Sequence, residues 1–404
     1  MHRRLPPPAH SIAIAVLVAL ALGGCAGPRD RGGGPPRHGQ QAGDATAADS
    51  AQRGFAARGY NPARQVSWHE EGVTLTLPAG ATRAVVALPE QTRTRAPLVL
   101  YLPGLGEPAS AGERWRHAWA TSGVAVLSLQ ALEADANAFR SDLARGGEFA
   151  ALGRQRYGAA AMNERVLALR AALSEIDRRA RALEQPFARI DTSRVVVAGF
   201  DLGAYTAMVL AGEQVPGVAA SVSEPRVGAV LAISPYADLA AGGLASRYLG
   251  VGVPALSISG DNDGDPLGLV ASPTQRQVPH AQIKSADNWL LWLYGLNHAR
   301  LSGRSAGEAN NDRAAAEPAA GGEPPADARS GNRGSRGSRG RRTEGGDALA
   351  GERGSAIDPG AALTAVEQVS VAFLDAYAQR DDMARAWLSE RAPAWLQGVG
   401  ELRR

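Results

Sequence analysis

Cysteine is all but missing: the 404-residue chain has one, Cys25. A lone thiol excludes an internal disulfide, and left free it would be a liability in an oxidising compartment. Excess charge is scarce too. The formal net charge is +3, carried almost entirely by arginines in a chain rich in alanine, glycine and arginine. This reads as compositional bias and identifies no anionic partner. The apolar run near the N-terminus, Ile12 to Leu22, falls short of the roughly 20 residues that span a bilayer. With 45% apolar residues the chain can bury a sizeable core, but 48 Gly and 25 Pro put much of it outside that core. One globular domain with loose segments is expected.

The run from Ile12 follows His2-Arg3-Arg4 and ends in Leu22-Gly23-Gly24-Cys25, a signal-peptide pattern closing on the only cysteine. Those four residues resemble the bacterial lipoprotein box. That resemblance implies cleavage after residue 24, lipid modification of Cys25 and, with Ala26 next, anchorage in the outer membrane facing the periplasm. Residues 25–64 lack any apolar period and read as a disordered tether. Residues 303–360 contain Arg333-Gly334-Ser335-Arg336-Gly337-Ser338-Arg339-Gly340 and few large apolar residues, so a disordered Gly/Arg-rich insertion is expected there. An RNA-binding role for it conflicts with export, and no nucleic-acid partner is expected.

Between these stretches, over residues 65–302, short apolar runs alternate with helical patterns. That argues an α/β domain with a mostly parallel sheet and helices on both faces. Strands are expected at Leu98–Leu102, Val124–Leu129, Val195–Ala198, Val227–Ile233, Ala255–Ile258 and Trp289–Leu293. A lead-in hairpin, Gly72–Leu77 with Ala84–Leu88, turns at Pro78-Ala79-Gly80. Val166, Leu169, Leu173, Ile176, Ala180 and Leu183 mark one stripe of a long helix. Leu363, Val366, Val369, Phe373 and Tyr377 mark a C-terminal helix, within residues 361–404, that completes the domain.

The chemistry centres on Gly199-Phe200-Asp201-Leu202-Gly203, which directly follows an apolar strand and opens an Ala-rich helix. Such a turn lifts its middle residue above the sheet, and Gly199 and Gly203 serve because a Cβ would collide there. The competing reading makes Asp201 a helix N-cap. Chain order favours the elbow, because an acid and a histidine follow later strands. Asp263 is preferred over Asp261 as the group orienting His298. Among seven histidines only His298 has this context; His69, His117 and His280 read as structural or exposed. The alternation Asp261, Asp263, Asp265 also resembles the start of a calcium loop, but Pro266 replaces its turn glycine and Ser272 its glutamate. No metal or cofactor is expected. The amides of Leu105, in Leu102-Pro103-Gly104-Leu105-Gly106, and of Leu202 are the oxyanion-hole candidates. Ser234, in Ile233-Ser234-Pro235, reads as a turn residue.

From about Pro97 to Leu388 the chain resembles the dienelactone-hydrolase-like branch of the α/β-hydrolases, close to platelet-activating-factor acetylhydrolases. The likeness rests on Gly203-Ala204-Tyr205-Thr206-Ala207, Asp263 with Pro266, Asn297-His298, and Ala372-Phe373-Leu374-Asp375-Ala376-Tyr377. It implies an α/β-hydrolase fold acting on a small-molecule or lipid substrate. Two segments depart from it: Pro103 stands where the family has histidine, and Phe200-Asp201 where it has His-Ser. An aspartate attacking an acyl carbon would form an anhydride, which disfavours ordinary esterase turnover. Aspartate at the elbow also resembles haloalkane dehalogenases and epoxide hydrolases, yet the roughly twenty residues from Pro235 to Val253 are too few for their helical cap. Three readings follow: a hydrolase of esters or related bonds with Asp201 as nucleophile, an inactive scaffold binding an envelope ligand, or a structural envelope protein.

Overall fold

A computed structural model describes residues 49–90, 94–219, 223–304 and 358–404. The expected signal peptide, Cys25 and the expected tether up to residue 48 lie outside the described residues, as do residues 305–357 of the expected insertion.

Nine strands form one sheet: β1 (Trp68–Leu77), β2 (Gly80–Pro89), β3 (Ala96–Leu102), β4 (Ala125–Leu129), β5 (Ile190–Phe200), β6 (Val227–Ile233), β7 (Ala255–Asn262), β8 (Asn288–Asn297) and β9 (Gly400–Arg403). Their order is β1-β2-β4-β3-β5-β6-β7-β8-β9. The pairs from β4 across to β8 are parallel; β1 with β2, β2 with β4, and β8 with β9 are antiparallel. The chain is thus an α/β protein, and the inner strands show why. Runs such as Leu98-Val99-Leu100-Tyr101 are buried residue after residue, as strands covered on both faces must be.

Alternate side chains of those strands serve two cores. Leu98, Leu100, Val195 and Val197 face one; Val99, Tyr101, Val196 and Ala198 face the other. We number the helices that position the site α1 (49–58), α2 (Glu113–Thr121), α3 (Phe149–Tyr157), α4 (Ala159–Arg181), α5 (Leu202–Ala211) and α6 (Pro359–Tyr377). Helices α3, α4 and α5 cover the first core, and α1, α2 and α6 the second. Each fully buried Leu, Val, Ile or Phe contributes about 1.5–3 kcal/mol relative to exposure.

Four expectations need correction. The tether does not run to residue 64, because α1 occupies 49–58, Phe55 stacks on Trp395 at 4.3 Å and the Tyr60 hydroxyl donates to Asp375 at 2.8 Å. These scattered aromatics lack a period of their own and dock against α6 and the short helices after it, which carry Trp387 and Trp395. The C-terminal segment is more than a helix, since Gly400–Arg403 adds the edge strand β9, whose four residues are too short to show alternation. Leu183 leaves the α4 stripe: the helix ends at Arg181, and Leu183 sits exposed in a left-handed turn (φ 58°). The insertion's first and last residues are ordered, with Gly303 packed against the Trp115 indole and Pro359-Gly360 opening α6. Among the described residues no helix is long and apolar enough to cross a membrane.

Candidate active site

The carboxyl ends of β3, β5, β6, β7 and β8 converge on one edge of the sheet, where ligand crevices of open α/β folds form. Asp201 lies between β5 and α5 with φ 54° and ψ −113°, a strained backbone for a residue with a Cβ. The flanking glycines permit it. A Cβ on Gly199 would overlap the Gly203 carbonyl, and one on Gly203 the Leu102 carbonyl oxygen.

Asp201 stands at the N-cap of α5, but its side chain makes no capping bond. Its carboxylate is aimed into the site instead. Oδ1 accepts from the Tyr157 hydroxyl at 2.6 Å, and Oδ2 from the Leu105 amide at 3.4 Å. The side chain that is free of capping duty is thus held by two donors from distant segments. His298 Nε2 lies 3.9 Å from Oδ1, longer than the roughly 3 Å expected for a tight triad contact. On the other side of the ring, Nδ1 is 2.8 Å from Asp263 Oδ1.

The three aspartates after β7 have separate tasks. Asp263 is fully buried against His298, Asp261 accepts the Gly295 amide at 2.7 Å, and Asp265 accepts the amides of Leu267, Leu269 and Val270. Among the described residues no group of three or more His, Cys, Asp or Glu could hold a metal ion. His69 and His117 are paired with glutamates, and His280 is half-buried near Arg403.

Several neighbours of the site carry no signal in the sequence pattern. Ser234, at the end of β6, is a buried residue with φ 57° whose hydroxyl lies 2.7 Å from both Asp263 oxygens and 2.9 Å from His298 Nδ1. It is a turn residue as expected, and it also braces the acid. Ser259 donates to Asp263 Oδ2 at 2.7 Å. Arg276, 1% exposed, places Nε 3.3 Å from the same oxygen. The loop after β3 has its own support, with Glu107 accepting the Gly104 amide at 2.8 Å and Gln130 donating to the Gly104 and Glu107 carbonyls. Leu202, buried, opens α5 directly after Asp201.

No family model and no curated protein matches this chain.

The electrostatics follow from these contacts. Burial alone would lower the His298 pKa, but the Asp263 hydrogen bond and the charges of Asp201 and Asp263 outweigh burial and Arg276 together, so the net shift is upward. Asp263 moves the opposite way. Burial pushes it up, yet His298 and Arg276 hold its carboxyl below the ordinary value. Burial, then the Asp201 charge, drives the Tyr157 phenol well above its ordinary range, so it stays a proton donor at Asp201. Tyr157 reaches the site from the excursion between β4 and α4, where Asp135 is gripped by Arg156 and Arg165 and where the Asp135 carbonyl accepts the Gly106 amide of the loop after β3. That excursion brings the Tyr157 hydroxyl onto Asp201, and Tyr236 of the β6–β7 connection packs against the Tyr157 ring at 4.8 Å.

Proposed function

We propose that the protein is a hydrolase of the α/β-hydrolase superfamily in which Asp201 attacks an alkyl carbon and His298, oriented by Asp263, releases the resulting ester. What carries the reading is the Asp201 carboxylate, which caps no helix and is held between Tyr157 and Leu105 beside His298. The order of elbow, acid and histidine after β5, β7 and β8 supports the superfamily assignment.

In the first step Asp201 Oδ1 bonds to the substrate carbon as a carbon–oxygen bond breaks, and the leaving oxygen takes the Tyr157 proton. A phenol so placed suits an alkoxide leaving group better than a halide, which favours an epoxide or comparably strained ether. Esters rank behind, because their acyl carbon would yield an anhydride. In the second step His298 takes a proton from water and the hydroxide adds to Asp201 Cγ. Oδ2, already bonded by the Leu105 amide, then carries the oxyanion. Lipid anchorage through Cys25 in the envelope belongs to the same reading and suits an amphipathic substrate. A ligand-binding scaffold without turnover is the second reading, favoured by the 2.6 Å Tyr157 contact, which occupies the attacking oxygen.

The test uses the full chain and His298→Gln with a panel of alkyl epoxides, haloalkanes and short esters, followed by mass spectrometry. The hydrolase reading expects a covalent adduct on the Asp201 peptide that accumulates in His298→Gln and is absent from Asp201→Ala. Single turnover in 18O-water should place label in the Asp201 carboxylate. No adduct and no turnover across the panel would leave the scaffold reading.

A further inference from the structure

Three charged side chains meet at one imidazole. Asp201 faces His298 across Nε2 at 3.9 Å, Asp263 across Nδ1 at 2.8 Å, and Arg276 Nη2 lies 3.4 Å from Nδ1. The guanidinium cannot swing away. Its Nε donates to the Asp263 carbonyl (3.0 Å), Nη1 to the carbonyls of Ser234 (2.9 Å) and Pro235 (3.4 Å), and Nη2 to that of Gly264 (3.3 Å). Among the described residues, the ring's other hydrogen-bond and ring contacts are uncharged: the Ser234 hydroxyl and the Phe200 ring, whose centroid is 4.8 Å away. Glu107, farther along the loop after β3, is matched by Arg304 at 3.2 Å.

With Asp201 ionised, the cluster of Asp201, Asp263, Arg276 and a protonated His298 is neutral overall. Esterification removes the Asp201 charge. If the imidazolium persisted, a largely buried cluster would carry one uncompensated positive charge, which desolvation disfavours. We propose that Arg276 is a positioning residue that acts through His298, driving the proton off the ring once Asp201 is esterified and so making the ring a base for the water step. This inference rests on the Asp201-nucleophile reading.

Protons and charge balance across the cycle. In the first step the leaving alkoxide takes a proton from Tyr157, and the proton shed by His298 returns through solvent to the phenolate. In the second, His298 takes a proton from water, hydroxide adds to Cγ, and the tetrahedral intermediate expels the second alkoxide. That alkoxide takes the proton of the new acid, which restores the Asp201 carboxylate beside a protonated His298.

The experiment is an NMR titration of the His298 ring in the full chain, its signal identified by its loss in His298→Gln. Asp201→Asn stands in for the uncharged ester and should lower the midpoint by at least about one pH unit. Arg276→Gln should raise it by a similar amount. Arg276→Lys, which keeps the charge, should return it to within about half a unit of the parent. Arg276→Met, an apolar chain of similar reach, is the second variant should Gln not fold. A midpoint unchanged in Asp201→Asn, or in an Arg276→Gln or Arg276→Met protein that folds, overturns the inference; if neither Arg276 variant folds, Asp201→Asn decides alone. The titration needs no turnover. Absence of activity therefore sinks the hydrolase reading separately from this one, and unmoved titrations sink this one with activity intact.

Discussion

Tyr157→Phe is the most informative single change, because it deletes one hydroxyl and leaves the ring in place. The ring is held by aromatic neighbours, Tyr236 at 4.8 Å edge-on and Tyr205 at 6.1 Å. What is lost is the 2.6 Å bond to Asp201 Oδ1, leaving the buried carboxylate with the longer 3.4 Å bond from Leu105. A hydrogen bond to a charged group is worth about 1.5–3 kcal/mol. At about 2–4 °C per kcal/mol for a large domain, the melting temperature should fall by about 3–12 °C. The clean assay is a double-mutant cycle with Asp201→Asn by urea denaturation, which isolates the pair from the rest of the pocket. A coupling energy of about 1.5–3 kcal/mol is expected, with Tyr236→Phe as a control for loss of a neighbouring hydroxyl. Adduct formation should slow by about 100-fold or more, the ordinary contribution of a positioned general acid. A coupling below about 0.5 kcal/mol would refute the assignment of Tyr157 as the main partner of Asp201.

Gly203→Ala should push the start of α5 away from β3, because its Cβ overlaps the Leu102 carbonyl. We expect a loss of about 2–3 kcal/mol in chemical denaturation and a fall of about 100-fold in Asp201 adduct formation; a parent-like protein would contradict the elbow geometry. Arg165→Met removes one of two guanidinium groups from the fully buried Asp135 and should cost about 3 kcal/mol, read from the urea midpoint, with a cost under about 1 kcal/mol counting against it. The His298–Asp263 pair predicts opposite pH dependences. The raised His298 value contributes stability that is present below the ordinary 6.5 and lost as pH rises through the folded value. The depressed Asp263 value contributes stability that is present above 3.8 and lost as pH falls through its folded value. The stability difference between parent and His298→Gln, followed by urea midpoints, should therefore shrink as pH rises above about 6.5; growth over that range would reverse the sign and refute it.

Much of the architecture is legible in the amino-acid sequence. The inner strands are apolar runs buried on both faces, and a run such as Val195-Val196-Val197-Ala198 shows that burial directly. The elbow was legible because its glycines are demanded within five residues of chain, and their collisions with the Leu102 and Gly203 carbonyls supply the reason. Asp263 and His298 could be placed because both follow strands of one parallel sheet, whose ends share an edge. Local sequence thus determined the strands, the turn and the two loops that carry the acid and the histidine, since side-chain direction repeats with a fixed period along a strand or helix. It could not place what arrives by excursion. Tyr157 meets Asp201 across 44 residues, and the path of the chain between β4 and α4 follows no period. Arg276 and Ser234 gain their roles only where three loops pack around Asp263, and α1 and β9 are ordered only by the surfaces they dock on. The sequence determined which residues stand at the sheet edge; the tertiary structure decided which charges and donors face Asp201 and His298, because those contacts depend on where the loops run in space and not on the period of the elements they join.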